Sequence, residues 1–182
     1  MRTRAAWIAM AMMLGAPCAD AMDWAPAGFF IAEGGVTVHG TLSVTAGVAW
    51  PWQWTHAWRG GEWTASTELF VSHWSAKQPG GGRAAFTQVG LAPLFRYRFE
   101  RGRSPVFAEG GVGVSYIDGL YTTDRKQFST RFNFYDVVGI GMNFGAHGEH
   151  EIGLRFSHVS NAGIKHPNPG ENFLQLRYAR RF

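Results

Sequence analysis

Cysteine is nearly absent from this chain. Cys18 is the single one in 182 residues, so no disulfide can form within it. Charge is also sparse, at 16% of residues. Beyond the N-terminus there is no run of about 18 apolar residues, which excludes a later membrane-spanning helix. The sequence carries no G-x-S-x-G elbow, no H-E-x-x-H pair and no glycine-rich nucleotide loop. The familiar routes to an α/β-hydrolase, a zinc peptidase or a nucleotide hydrolase are therefore closed. No nucleic-acid-binding motif is present, and the net charge of +4 fits an anionic partner without specifying nucleic acid.

What remains is distinctive. Arg2 and Arg4 precede an apolar stretch from Ala5 to Leu14, and Ala19-Asp20-Ala21 reads as a cleavage site. This predicts a secretory signal peptide over 1–21 and a single domain over 22–182. Cys18 as a lipidated N-terminus is the competing reading, and Pro17 directly before it fits that poorly. Aromatic residues reach 15%, and there are 24 glycines. An exported chain that is rich in glycine and aromatics, poor in charge and without helical spans suggests a β-barrel of the outer membrane.

Alternation of apolar with small or polar residues predicts eight strands, near 28–39, 42–54, 62–74, 85–99, 105–117, 131–144, 149–160 and 172–182. The fold class is all-β, an eight-stranded antiparallel transmembrane barrel. One face of each strand is apolar, as in Phe132, Phe134, Val138, Ile140 and Met142. The other carries Glu33, Glu68 and Glu109 with Arg96, Arg98, Arg155 and Arg177. A barrel this small has no channel, so paired charges must fill its lumen. A soluble barrel with the apolar face inward is the alternative. Against it stand tryptophans near strand ends (Trp50, Trp52, Trp54, Trp58, Trp63, Trp74), which suit an aromatic girdle, and the terminal Phe182. Connections near 55–62, 100–105 and 145–148 are short, while those near 76–84, 118–130 and 161–171 are longer. The longer set, taken to face outside, carries Lys77, Arg83, Arg125, Lys126, Arg131 and Lys165, a basic rim suited to phosphates.

The seventh strand ends unusually. Ile152, Leu154 and Phe156 share a face with His158 and Ser160. An imidazole and a hydroxyl two residues apart lie about 6.5–7 Å apart at Cβ, so rotamers can bring them together for nucleophilic catalysis. An isolated H-x-S is a weak signal. The wider stretch, His158-x-Ser160-Asn161-Ala162-Gly163 followed by Lys165 and Pro167-Asn168-x-Gly170, is more specific. It resembles the PagL family, outer-membrane lipid A 3-O-deacylases.

The resemblance implies His158 as base and Ser160 as nucleophile. Asn161 and the Gly163 N–H would stabilise the oxyanion. The implied reaction is hydrolysis of the ester-linked acyl chain at position 3 of lipid A in the outer leaflet, without metal or cofactor. The implied partners are lipopolysaccharide and outer-membrane lipids, with an acyl-chain groove on the outer wall beside the seventh strand. One departure stands out. The family's acid lies about twelve residues beyond the serine, where this sequence has Asn172. Glu171, one position early, is the favoured acid if the backbone bends there. Asn172 as a neutral orienter and Asp136 on the sixth strand are the other candidates. Rival readings are a non-enzymatic small barrel and a general outer-membrane phospholipase or esterase. His166, His147, His150 and His73 read as solvent or interface residues.

Overall fold

A computed structural model describes residues 28–182. The segment read as a signal peptide, with Cys18, lies outside them. The described chain forms strands β1 (Phe29–Val36), β2 (Leu42–Trp58), β3 (Gly61–Lys77), β4 (Arg83–Arg98), β5 (Val106–Ile117), β6 (Phe132–Phe144), β7 (His150–Ser160) and β8 (Glu171–Arg181). Each pairs antiparallel with its sequence neighbour. β1 and β8 then pair from Phe29↔Arg181 to Val36↔Leu174 and close the barrel. Closure leaves no unpaired edge, which is the condition for strands to cross a bilayer.

The apolar faces point outward. Val138 and Ile140 on β6 are 60% and 63% exposed, and Leu174 and Leu176 on β8 are 57% and 56% exposed. So much contiguous apolar surface excludes a soluble barrel and fits a wall facing hydrocarbon.

The lumen is filled in two layers. In the layer nearer the chain termini, Arg155 donates to Glu33 at 2.8 Å, Glu68 at 2.9 Å and Glu109 at 2.7 Å. Arg96 bonds Glu109 at 2.9 Å, and Arg177 bonds Glu151 at 2.9 Å. Deleting one partner from such a set leaves buried charge uncompensated, at a cost of about 3–5 kcal/mol. The layer toward the opposite end is aromatic: Phe70, Trp74, Tyr121, Phe128, Tyr135 and Phe173. Trp74 therefore departs from the girdle expectation. It shares the inward face of β3 with Glu68, Phe70 and Ser72, packs 4.7 Å from Phe173, and donates its N–H to Ser72 Oγ. Gly141 makes room for the lumenal Phe107, whose Cζ would stand 2.6 Å from any added Cβ.

A girdle does form at the termini end. Trp52 and Trp54 meet Phe95 edge-on, Trp58 and Trp63 flank Tyr97, and His150 stacks between Phe144 and Tyr178. β2 and β3 run 17 residues each, longer than their alternation suggests. They meet at Arg59–Gly60, whose φ values of 44° and 78° suit the I′ turn that matches strand twist. The longer connections, 118–131 and 161–170, gather at the opposite end, where β7 finishes.

Candidate active site

His158 and Ser160 lie on the outward face of β7, in line with the exposed Ile152, Leu154 and Phe156. The inward positions between and beside them are Ser157 and Val159, each 1% exposed. In the sheet register His158 stands between Asp136 on β6 and Asn172 on β8, while Ser160 pairs with Phe134. The imidazole and hydroxyl therefore face away from the lumenal plug.

The His158 ring is held from two sides. Its Nδ1 lies 2.6 Å from Asn172 Oδ1. An amide oxygen only accepts, so Nδ1 is the donor in this contact, which in the neutral ring leaves the lone pair on Nε2. Gly170 lies against the ring: a Cβ there would stand 2.5 Å from Cε1 and 3.1 Å from Nε2. Ser160 is 8% exposed, and its Oγ accepts the Ala162 N–H at 3.4 Å.

Glu171 is not brought to His158. One residue of offset on β8 turns its side chain to the lumen, where it is 1% exposed. Its Oε1 accepts Lys126 Nζ at 2.9 Å and the Asn172 N–H at 3.1 Å, and its Oε2 accepts the Tyr121 hydroxyl at 2.8 Å. The β8 strand begins without a bulge, so nothing redirects that carboxylate outward. The residue that reaches the imidazole is Asn172. Asp136 occupies the other flank, as the β6–β7 pairing suggests.

Asn161 and Gly163 face each other. Asn161 Oδ1 accepts the Gly163 N–H at 3.0 Å. Asn161 Nδ2 donates to Lys165 O at 2.8 Å and to Ser129 Oγ at 3.1 Å. Its own N–H reaches Asn168 Oδ1 at 3.0 Å. Asn161 is thus 1% exposed and acts as a strut of loop 161–170. Ala162 and Gly163 take the left-handed conformation, with φ of 53° and 80°, which folds the loop back behind Ser160.

Residues 39–181 match the profile of the family described as lipid A 3-O-deacylase (PagL). The chain belongs to the PagL family. Lipid A deacylase PagL of Bordetella bronchiseptica is 34% identical over 165 residues, covering 82% of this chain and 84% of that protein. Lipid A deacylase PagL of Pseudomonas aeruginosa is 32% identical over 143 residues, covering 76% and 79% respectively. The crystal structure of the outer membrane enzyme PagL superposes with a TM-score of 0.74 at 29% identity, covering 85% of this chain and 99% of that one.

Around His158 and Ser160, several contributors carry no signal in the sequence. Lys126, expected in the basic rim, turns inward to Glu171 and to Gly170 O at 2.9 Å. Tyr121 links Glu171 to Thr41 Oγ1 at 2.7 Å. Ser129 joins the two long loops through Lys165 O at 2.8 Å. All three side chains sit on or beside the 118–131 connection, which has no periodic pattern to announce them. Lys77, Arg83, Arg125, Arg131 and Lys165 remain exposed at that end.

Proposed function

We propose that this protein is an outer-membrane lipid A 3-O-deacylase acting as a serine hydrolase, with Ser160 as nucleophile and His158 as base. The observation that carries the reading is the His158–Asn172 bond on the lipid-facing wall, beside a serine on the same face. That bond fixes the tautomer in which Nε2 can accept a proton. Family membership supports the substrate class, and the exposed cations at this end suit lipid A phosphates. The outward row Ile152, Leu154 and Phe156, flanked by Val138 and Leu174, offers an acyl chain an apolar bed at the membrane surface.

The chemistry follows from these positions. As Ser160 Oγ bonds to the ester carbonyl carbon, its proton passes to His158 Nε2. The carbonyl oxygen becomes an oxyanion, for which the Gly163 N–H, exchanging Asn161 Oδ1 for it, is the donor. Collapse breaks the bond to the sugar oxygen, which takes the proton from His158. Water, deprotonated by the same nitrogen, then cleaves the acyl-serine and frees the fatty acid.

The test is purified protein in detergent with lipid A, read by mass spectrometry. Loss of one 3-O-acyl chain is expected. Ser160→Ala and His158→Ala should each reduce the rate by roughly 10⁴-fold or more while heat-modifiable migration of the barrel is unchanged. Release of acyl chains from phospholipid with none from lipid A would overturn the substrate assignment. Wild-type rates in either variant would overturn the mechanism.

A further inference from the structure

Asp136 interrupts the lipid-facing row of β6, which otherwise reads Phe132, Phe134, Val138, Ile140 and Met142. A carboxylate on a barrel's outer wall is destabilising and marks function unless something beside it offsets the charge. Its cross-strand neighbours are Val112 on β5 and His158 on β7. Val112 offers nothing polar. Arg155 and the other lumenal cations are on the far side of the sheet. Among the described residues directly paired with Asp136, His158 alone can carry positive charge, and paired Cβ atoms lie about 4.5–5.5 Å apart.

The opposite flank of His158 supplies no charge. Asn172 accepts the Nδ1 proton as a neutral amide, and Glu171 is committed to Lys126 and Tyr121 inside the barrel. The imidazole nonetheless becomes an imidazolium when it takes the Ser160 proton. We propose that Asp136 supplies the negative charge that stabilises this imidazolium. The work of a single acid is then divided across the strand: Asn172 on β8 fixes the ring and its tautomer, and Asp136 on β6 provides the field. Asp136 acts as a positioning and electrostatic residue. The inference rests on the assignment of His158 as base.

The experiment uses the full barrel in detergent, with lipid A turnover and thermal unfolding measured on the same samples. Asp136→Asn should lower kcat roughly tenfold to a hundredfold, the range expected for losing one nearby charge, with KM little changed. The same variant should unfold at equal or higher temperature, because a lipid-facing charge has been removed. Asp136→Glu should keep most of the activity. Asp136→Asn combined with Asn172→Asp, which moves the carboxylate to the other flank, should regain kcat. Wild-type kcat in Asp136→Asn, a loss confined to KM, or a double variant no better than the single would each overturn the inference. His158→Ala, run alongside, separates the two claims. If it retains turnover, the base assignment fails. If it is inactive while Asp136→Asn is fully active, only the role of Asp136 fails.

Discussion

His158 Nδ1 and Asn172 Oδ1 are 2.6 Å apart across the β7–β8 pairing, an amide standing where a serine hydrolase ordinarily places a carboxylate. A neutral hydrogen bond contributes about 1 kcal/mol net, whereas one to a charged group contributes about 1.5–3 kcal/mol. Asn172 therefore orients the ring without adding charge. Asn172→Ala frees the ring to rotate and should cut kcat by roughly tenfold to a hundredfold. Asn172→Asp keeps the geometry and adds charge, so it should match or exceed the wild-type rate. Steady-state turnover of lipid A checks both. A fall in Asn172→Asp as deep as in Asn172→Ala would refute the orienting role.

Glu171 makes a separable prediction. Its carboxylate joins Lys126 and Tyr121 and so ties the 118–131 loop to the start of β8. Glu171→Gln weakens the Lys126 bond by removing its charge, and Lys126→Ala leaves a buried carboxylate unpaired. Both should lower the unfolding temperature, the lysine variant more, with a cost below the roughly 3–5 kcal/mol of a fully buried pair because Lys126 is partly exposed. Activity should fall in proportion to the loosened loop. A Glu171→Gln barrel with unchanged stability and no turnover would instead make Glu171 the acid.

Tyr121 gives that tie a pH dependence. Burial, with the Glu171 carboxylate adding to it, pushes its phenol well above the ordinary value of 10.0. The folded state therefore holds this proton more tightly than the unfolded chain. The resulting stabilisation is fully present below pH 10.0 and is lost as pH climbs toward the higher folded value. Thermal unfolding followed from about pH 8 to about pH 12 should fall on the alkaline side, and Tyr121→Phe should flatten that limb. An identical alkaline limb in both proteins would remove Tyr121 from the explanation.

Much of this was legible in the sequence where side chains obey a period of two. Ile152, Leu154, Phe156, His158 and Ser160 fall on one face in both sequence and structure, and the lumenal Glu33, Glu68, Glu109 and Arg155 follow the same rule. Trp74 reads as a girdle residue by type alone, whereas its parity with the inward Glu68 puts it in the lumen. Glu171 reaches His158 only if the backbone bends where β8 begins; the strand starts in regular register, so parity turns Glu171 inward and Asn172 outward. Lys126 and Asn161 were beyond reach for another reason. Both belong to connections whose backbone has no repeat, so the direction of their side chains is set by the loop's own hydrogen bonds. Asn161, proposed as an oxyanion donor, spends its amide on Lys165 and Ser129 in the structure.

Gly170 offers the sharpest test of how closely the site is built. Its φ of 61° is strained for any residue with a Cβ, and that Cβ would overlap His158 Cε1 at 2.5 Å. The glycine cannot retreat easily, since Lys126 holds its carbonyl at 2.9 Å and Glu171 anchors the next position. Gly170→Ala should therefore displace the imidazole rather than the backbone. A shift of about 1 Å in a catalytic group is enough to cost roughly a hundredfold in rate. The strands of the barrel would be untouched, so the variant should still show heat-modifiable migration and lose about 1–2 kcal/mol in stability, as a left-handed non-glycine residue does. Adding Lys126→Ala should release the backbone and return part of the activity to Gly170→Ala, at further cost in stability. Full activity in Gly170→Ala alone would mean the ring can take its working position without this contact.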